Sequence, residues 1–428
     1  VPAVLAVFVV ASGMQTVSVA DALKESTSLG FVPADAAYYS SSTRGKEQFE
    51  AFINSNAFAR LKAMPSVKQL TEMIELQWNN PFSPVAQVKL IMSQPENQQL
   101  LELLGDMLSH ETFVYGDDRA ADLAQLFAQV NTANQIGNLE NGLQGGVGDP
   151  TETVRRVLKT LEANRAKLVV PSMVYGFKIT NVRAARTQLR RLETLLKILD
   201  TDPQANTHLK RKKIGETVYF TVNLDGSMLP WDDILPLIEG IEEKQGEFDK
   251  LVDHIKKSKL TFAWGVRDEY LILGIGESAD YLATMEGKNL LIDRPEFAKL
   301  NKFADKPFVN ISYVSAKLAE KSNPQQQQVE SFLGIANAIV PQLPVEDDLK
   351  KNILKDINDL GKKLTETDAK VGAKLSFSFE SDRGFESYSY DWSSQEILDG
   401  SKKLTLFEHL GGNPLAFGIG RMQYDPRS

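Results

Sequence analysis

Two pairs of strand-like segments are separated by turns so short that the strands of each pair are expected to run antiparallel. Residues 260–266 and 270–275 are rich in apolar and aromatic side chains, and three polar residues separate them. Residues 375–380 and 385–392 alternate aromatic with polar side chains across a turn that contains Asp382. Such patterns predict β-hairpins with one packed face. They favour antiparallel sheet over the parallel sheet of doubly wound α/β proteins.

Helical patterns lie between the strand pairs. The clearest runs over 182–199, where apolar residues recur at spacings of three and four. Two more helices, at about 329–341 and 346–364, are predicted to form an antiparallel helical hairpin. Together these elements predict an α+β fold, in which helices pack on one face of antiparallel sheets built from hairpins.

A glycine-rich stretch suggests where the chain divides. Residues 137–150 contain five glycines and one proline without an apolar period, which is typical of a loop or a domain boundary. We therefore predict an N-terminal α+β domain over 23–145. A C-terminal α+β domain is predicted over 146–428, and it contains the helical hairpin near 329–364.

Two short phrases recur loosely along the chain. Residues 56–61 (NAFARL) resemble 295–300 (PEFAKL), and 307–313 (PFVNISY) resemble 414–420 (PLAFGIG). The spacing between the copies is too irregular for a repeat array. The phrases instead predict a degenerate internal duplication.

The N-terminal segment 1–22 has the pattern of a secretory signal peptide. Residues 4–11 are continuously apolar, the first charge is Asp21, and the small residues Ser18 and Ala20 have the spacing of a cleavage site. The apolar run is shorter than the roughly 20 residues of a membrane-spanning helix. An uncleaved N-terminal anchor and a buried strand or helix are the alternatives.

Cysteine is absent, and the four histidines are scattered along the chain. Disulfide scaffolds, thiol nucleophiles, iron–sulfur centres and structural zinc sites are therefore excluded, and we expect neither a metal nor a cofactor. The hydrophobic fraction of 42% and the charged fraction of 24% are those of an ordinary globular protein. An exported chain without cysteine fits the periplasm or the exterior of a bacterium.

The net charge of −8 conceals a basic middle segment. Residues 151–213 contain 15 Lys or Arg against 5 Asp or Glu. A concentrated basic surface could bind an anionic polysaccharide, lipid headgroups or an acidic protein surface; the alternative is a solvated helix face balanced by acidic neighbours. The overall acidity opposes a nucleic-acid partner. The ligand-binding candidates in this segment are Arg183, Arg186, Arg190, Arg191, Lys210, Arg211, Lys212 and Lys213.

Aromatic and acidic residues offer further candidates. Trp78 is the best candidate for an exposed ring that stacks on a sugar, whereas Trp264 lies in an alternating strand and is expected in the core. Asp232, Asp233 and the acidic run 346–348 could serve acid–base hydrolysis. Because each group stands at the start of a predicted helix, capping and the helix dipole explain them without catalysis.

One glycine motif points to a different chemistry. Gly274 and Gly276 follow an apolar strand and precede a predicted helix at 277–286, with Asp293 downstream. A dinucleotide fold uses such glycines beneath a pyrophosphate and an acidic residue on the ribose. That fold needs a parallel central strand, whereas the strand here is predicted to pair in a hairpin. A nucleotide-binding enzyme over 260–300 is therefore the least favoured alternative.

The N-terminal region resembles a known group of proteins. Residues 31–39 (FVPADAAYY), followed by 49–52 (FEAF), 55–61 (SNAFARL) and 64–67 (MPSV), resemble the start of exported bacterial proteins of unknown function that are common in planctomycete-like genomes. Residues 261–300 resemble a second signature of that group, a strand that ends in leucine and glycine and is followed by helices. The resemblance implies an exported α+β protein and no catalytic residue.

These observations together predict an exported, non-catalytic binding or structural protein of the bacterial cell envelope, without a transmembrane span in its mature form. The main alternative is an extracytoplasmic hydrolase that uses carboxylates in a cleft. A hydrolase should bring two carboxylates together in a cleft, with at least one of them removed from water. A binding protein should instead present a basic patch.

If segment 1–22 is a signal peptide, the mature protein begins near Asp21. N-terminal sequencing of the exported protein should then recover a chain that starts close to Asp21, because cleavage follows the small residue at Ala20. Recovery of an exported form that still carries residues 1–20 would show that the segment is not removed.

Overall fold

The computed structural model describes residues 19–143, 150–200, 208–365, 370–382, 384–394, 403–409 and 411. In this part of the chain ten strands form one sheet, and every neighbouring pair is antiparallel. The strands are β1 (Tyr38–Ser42), β2 (Thr112–Gly116), β3 (Met173–Lys178), β4 (His208–Ile214), β5 (Thr217–Asp225), β6 (Lys259–Arg267), β7 (Tyr270–Gly276), β8 (Phe308–Val314), β9 (Lys374–Ser381) and β10 (Gly384–Asp391). Their order across the sheet is β10-β9-β8-β1-β2-β3-β7-β6-β5-β4.

Helices separate most of these strands along the chain. The α-helices of the described ranges are α1 (Val19–Ser26), α2 (Gly45–Ile53), α3 (Asn56–Ala63), α4 (Pro65–Asn79), α5 (Pro84–Met92), α6 (Pro95–Ser109), α7 (Arg119–Leu143), α8 (Pro150–Ala163), α9 (Val182–Asp200), α10 (Trp231–Glu239), α11 (Asp249–Lys257), α12 (Ala316–Lys321), α13 (Pro324–Ile339) and α14 (Asp347–Thr365). Between β7 and β8 the chain forms 3-10 helices over Asp280–Glu286, Leu291–Asp293 and Pro295–Phe303. The antiparallel sheet with its helices confirms the predicted α+β fold.

Both predicted β-hairpins are confirmed. β6 and β7 pair next to each other, and Asp268 in their turn has a φ of 49°, a left-handed conformation that Asp tolerates better than most residues. β9 and β10 pair at the opposite end of the sheet. The predicted helical hairpin is also present, because α13 and α14 pack together and the side chains of Asn337 and Asn358 exchange hydrogen bonds.

The alternation of side chains gives the sheet two differently covered faces. On one face, Tyr39 and Ile272 belong to the main core, which α1 and the 3-10 helices between 280 and 303 cover. On the other face, α6 and α9 pack against residues that include Leu271. Because Leu23 buries α1 in the main core, that helix departs from the expectation that helices pack on one face.

Aromatic side chains close the main core beneath the second hairpin. Phe377 and Phe379 are buried, and Tyr388 stacks on both with centroid distances of 5.7 and 5.8 Å. Phe303 contacts the same rings from the 3-10 helix above the sheet. Each such ring removes about 150–250 Å² from water, so this cluster ties β9 and β10 to the segment before β8.

The structure removes the basis of the nucleotide-binding hypothesis. β7 pairs antiparallel with β3 on one side and with β6 on the other, whereas a dinucleotide fold needs a parallel strand at this position. The chain after β7 forms the 3-10 helix Asp280–Glu286 rather than the α-helix predicted for 277–286. A side chain at Gly274 or Gly276 would collide with Tyr281, so packing of this ring accounts for the two glycines.

The predicted internal duplication is not shown by the structure. Of the first pair of phrases, 56–61 lies in α3 and 295–300 in a 3-10 helix. Of the second pair, 307–313 contains most of β8, and 414–420 lies outside the described residues. The sheet crosses the proposed boundary after residue 145, because β2 pairs with β3. The division into two domains stays a prediction.

The predicted signal peptide overlaps the first helix. Residues 1–18 lie outside the described residues, and 19–22 form the first half of α1. Val19 is buried in the main core, and Lys24 forms an ion pair with Asp293 at 2.6 Å. Processing at the predicted site would remove Val19 from the core and leave the ion pair. The signal peptide stays a prediction.

The helices between β1 and α6 lie outside the cores of the sheet. We call α2–α5, residues 45–92, the helical arm. No residue of α2, α3 or α4 is buried, although apolar side chains recur along them. α4 contacts α3 and α5, while α2 and α5 contact α6. The arm therefore packs mainly on itself and on α6.

The packing between β2 and β3 can be tested at Gly176, a glycine in the middle of the sheet. Gly176 lies opposite Phe113 in the β2–β3 register, and a Cβ at Gly176 would overlap the Phe113 ring. Gly176→Ala should therefore lower the free energy of unfolding by about 1–3 kcal/mol, as overpacking does. Urea denaturation measures the change.

Gly105 provides the matched control. It lies exposed within α6, and a Cβ there would meet nothing within 4 Å. Gly105→Ala should raise the free energy of unfolding by about 0.5–1 kcal/mol, because alanine restricts the unfolded chain and favours helix. Equal effects of the two substitutions would contradict the close approach of Gly176 and Phe113.

Candidate functional site

A basic groove of about 850 Å³ lies between α9 and the strands β4–β6 at one edge of the sheet. Arg183, Arg186 and Arg190 line it from α9, and Arg211 lines it from β4. The three α9 arginines are spaced three and four residues apart, so they project from one side of the helix. They extend over about 10 Å of helix at a rise of about 1.5 Å per residue.

The three α9 arginines keep their charge available for a ligand. Arg183, Arg186 and Arg190 are exposed. Within the described residues, none of them has a carboxylate within 4 Å, whereas their helix neighbour Lys197 is paired with Glu193. An exposed guanidinium without an internal partner can bind a carboxylate, sulfate or phosphate through two parallel hydrogen bonds. The row is therefore a ready anion-binding surface.

A buried carboxylate fixes the fourth arginine. Glu193 accepts hydrogen bonds from Lys197 Nζ at 2.7 Å and from Arg211 at 2.6 Å, and its side chain is almost fully buried. Burial opposes ionisation of Glu193, but the hydrogen bonds and charges of Arg211 and Lys197 outweigh it and hold the pKa of Glu193 below its usual value. The guanidinium of Arg211 also lies 5.6 Å from the centre of the Phe220 ring.

Two aromatic residues form the floor of the groove. Phe220 and Trp264 are register partners on β5 and β6, and their rings stack with centroids 5.7 Å apart. Both are buried, as expected for Trp264. The indole N–H of Trp264 is buried without an acceptor among the described residues. Because neighbours cover the ring faces, the floor does not offer the stacking platform of single-strand nucleic-acid proteins.

The structure separates the other basic candidates from the groove. Strand alternation places Lys210 and Lys212 on the opposite face of β4, where Lys212 pairs with Asp280. Lys213 pairs with Glu216, and Arg191 does not line the groove. Strand alternation directs consecutive side chains of this run to opposite faces, although Arg211 also lines the cleft that contains Lys210 and Lys212.

Trp78 lies away from the groove residues, near the end of α4. Its side chain is half exposed, and Lys89 Nζ lies 5.5 Å from its ring centre. The prediction that this ring binds sugar stays a prediction.

Sequence reasoning missed Glu193 because it considered only the apolar residues that recur over 182–199, and Leu192 is one of these. Leu192 is 40% exposed, whereas Glu193 is buried and lies on the same side of α9 as Ala185 and Leu189. Positions 185, 189 and 193 are four residues apart and lie on one side of a helix. The available signal was the acidic residue itself, since it interrupts a segment in which basic residues predominate.

A second cleft, of about 650 Å³, is lined by three carboxylates, Glu47, Asp106 and Glu111, and the last two lie beside His110 and Lys178. Sequence reasoning selected none of these carboxylates. A hydrolase is expected to have such a group of carboxylates with at least one removed from water, and Glu111 is only 4% exposed. The acidic residues that the sequence did suggest stand elsewhere, at the first turns of α10 and α14, where capping predicts them.

Hydrogen bonds to fixed donors occupy Asp106 and Glu111. Glu111 accepts from the Ser28 N–H at 2.9 Å, the Ser28 hydroxyl at 2.7 Å and the Tyr270 hydroxyl at 2.6 Å. Asp106 accepts from the N–H groups of Thr180 and Asn181 at 2.7 and 3.1 Å and so anchors the segment directly before α9. These hydrogen bonds give both carboxylates a structural role.

The surroundings of Asp106 and Glu111 shift the pKa values of the two carboxyl groups in opposite directions. Burial raises the pKa of Glu111, although the bonds from Tyr270 and Ser28 partly offset it. Burial also acts on Asp106, but the bonds from Asn181 and Thr180 outweigh it and lower the pKa of Asp106. Asp106 therefore stays ionised where it anchors the segment before α9, while Glu111 holds its proton to a higher pH than an exposed glutamate.

Searches for other kinds of site and for related proteins give negative results. In the described ranges, His, Asp and Glu side chains form no group of three or more that could hold a metal ion. The helices of the same ranges include none that is both long and apolar enough to cross a membrane. Comparisons with protein-family models, curated proteins and solved structures find no match to this chain. The resemblance to exported planctomycete-like proteins stays a prediction.

Glu111 and Glu193 give opposite pH dependences of stability. The folded-state pKa of Glu111 is raised, so the folded protein binds more protons than the unfolded chain between the two pKa values, and stability falls as pH rises. Glu111→Gln removes this dependence. The free energy of unfolding of the parent protein minus that of the variant should therefore decrease as pH rises above the ordinary glutamate pKa.

Glu193→Gln provides the comparison. The folded-state pKa of Glu193 is lowered, so its contribution is present above the ordinary glutamate pKa and is lost as pH falls through the folded value. The same difference in unfolding free energy should then decrease toward low pH. Urea titrations that extend from below the ordinary glutamate pKa up to neutral pH measure both slopes, and slopes of the same sign would contradict the assignment.

Proposed function

We propose that this protein is an exported, non-catalytic binding protein of the bacterial cell envelope that holds an anionic polysaccharide in the groove between α9 and β4–β6. The observation that carries the proposal is the row Arg183, Arg186 and Arg190, which lacks carboxylate partners within the described part of the chain. Arg211 adds a guanidinium from the sheet side.

The geometry favours an extended anion over a compact one. The α9 arginines are spread over about 10 Å along an exposed helix face, so one small anion cannot reach all of them. A chain with repeated carboxylate or sulfate groups can pair with each guanidinium in turn. The groove also runs beside the edge strand β4.

Protection of the sheet edge explains part of the basic segment. Lysines on an edge strand discourage pairing with another chain, which accounts for Lys210, Lys212 and Lys213 on β4. It does not account for the α9 arginines, because they lie on a helix rather than on the edge. The two groups of charges therefore have different roles.

The extracytoplasmic location is part of the same proposal. It is supported by the apolar segment 4–11, the small residues that follow it and the absence of cysteine. An anionic envelope polymer would be encountered in that compartment. Binding there would need no cofactor and no catalytic residue.

The proposal is tested by charge reversal on α9. The triple variant Arg183→Glu, Arg186→Glu, Arg190→Glu should elute from a heparin column at lower salt than the parent protein. Its Kd for heparin should rise by at least about tenfold, because three exposed ion pairs of about 0.5–1 kcal/mol each are lost. Binding by the parent protein should weaken steeply as salt rises.

A charge-matched control separates this groove from net charge. Lys302→Glu, Lys355→Glu, Lys363→Glu changes the net charge equally at exposed positions outside the groove, and it should leave most of the affinity intact. Equal losses in the two triple variants would refute a specific groove. If the protein binds vesicles with anionic headgroups but does not bind heparin, the ligand of the groove is a lipid headgroup rather than a polysaccharide.

A further inference from the structure

A further cleft lies behind the basic groove, on the opposite face of β4–β6, and we call it the rear cleft. Its volume is about 720 Å³, and Lys210, Lys212 and Lys259 line it. Lys210 and Lys212 alternate with Arg211 along β4, so their side chains leave the strand on the face opposite to that of Arg211. Arg211 itself lines both the basic groove and the rear cleft. The two sites therefore meet at Arg211 on β4, which is the last strand of the described sheet.

We propose that the rear cleft extends the binding site of the basic groove, so that one anionic polysaccharide crosses the edge strand β4 and contacts both faces of the sheet. This path rests on the proposed function, because the ligand is the same polymer. The α9 arginines and Arg211 bind its first part, and Lys210 and Lys259 bind the part beyond the edge. A single chain with repeated anionic groups can follow such a succession of cations.

Two lysines of the rear cleft keep their charge available for the ligand. Lys210 and Lys259 are exposed, and neither has a carboxylate within 4 Å among the described residues. Lys212 differs, because its ammonium group is paired with Asp280. Protection of the sheet edge accounts for a lysine at position 210 but not for Lys259, because β6 is an interior strand. Binding of an anionic chain gives Lys259 a role, and Lys210 then serves both purposes.

The two carboxylates that line the rear cleft have contacts within the protein. Glu277 forms an ion pair with Arg119 at 3.2 Å. Asp225 lies opposite Lys259 in the β5–β6 register, but its Oδ1 accepts a hydrogen bond from the Ser227 N–H at 2.8 Å. Asp225 thereby caps the short 3-10 helix that follows β5. Both carboxylates have structural contacts, so the two lysines are the charges that an anion can use.

The dimensions of the rear cleft favour a polymer over a small anion. β4 and β6 are two strand spacings, about 10 Å, apart. Lys210 is level with Ala263 in the registers of β4–β6, and Lys259 lies four residues further along β6. The Cα atoms of Lys210 and Lys259 are therefore about 16 Å apart, which suits a ligand with several anionic groups. Thr221 and Thr261 line the cleft between them, a polar surface that suits sugar hydroxyls.

The test compares heparin oligosaccharides of two lengths by isothermal titration calorimetry on the full chain. The double variant Lys210→Glu, Lys259→Glu should raise the Kd of a heparin dodecasaccharide at least about fivefold, because two exposed ion pairs with the ligand are lost. A heparin tetrasaccharide is short enough to occupy the basic groove alone. Its Kd for the double variant should therefore stay within about twofold of the parent value.

A charge-matched control separates the rear cleft from net charge. Lys302→Glu, Lys355→Glu makes the same change at exposed positions outside both sites, and it should leave both Kd values within about twofold of the parent values. Far-UV circular dichroism should be the same for all variants, because every substituted lysine is exposed.

Two results would overturn the crossing path. One is a double variant at Lys210 and Lys259 that binds the dodecasaccharide as tightly as the parent protein does. The other is an equal loss of affinity for both lengths, which would show that these lysines act on the basic groove only through long-range charge. Failure of the proposed function is a separate result, because the triple α9 variant would then bind heparin no more weakly than its own charge-matched control.

Discussion

The buried carboxylate of Glu111 holds together parts of the chain that are far apart in sequence. It stands directly before β2 in the middle of the sheet, and its oxygens accept hydrogen bonds from Ser28, from Tyr270 on β7 and, at longer range, from Tyr39 on β1. Lys178 on β3 lines the same cleft. A buried acceptor that loses its donors costs about 1–3 kcal/mol or more. Glu111 therefore fixes how the segment before β1 packs on the sheet. Its buried carboxylate in a cleft has the features of a catalytic group, but its hydrogen bonds are structural.

The basic groove depends on how the neighbouring helix is anchored. Asp106 of α6 anchors Thr180 and Asn181 directly before α9, and Glu193 ties the middle of α9 to Arg211 on β4. These contacts hold α9 along the sheet edge, where Arg183, Arg186 and Arg190 have no carboxylate within 4 Å among the described residues. In both clefts the buried carboxylates have structural roles. The exposed charges that carry the proposed binding are the three arginines on one face of α9.

The sequence alone predicted the regular elements more reliably than their surroundings. The hairpins at 260–275 and 375–392 and the helix at 182–199 were confirmed, because turn residues and apolar period are local signals. The four basic residues 210–213 were grouped as one patch, but strand alternation divides them between two faces. The segment 277–286 was predicted to be an α-helix, but the chain forms a 3-10 helix there. The local pattern also does not reveal which ring packs against Gly274 and Gly276.

Composition and local pattern by themselves determined that the chain is an α+β protein with antiparallel hairpins, no cysteine chemistry and a basic middle segment in an acidic whole. These properties depend on residue type and short-range spacing, which the sequence states directly. Only the tertiary structure decided that Arg183, Arg186, Arg190 and Arg211 meet in one groove and that Glu111 is buried under Tyr270. Both depend on which strands become neighbours in the sheet, and β3 pairs with β7 across about 90 residues of chain. Pairing over such a distance is selected by the packing of the whole core, so no local pattern encodes it.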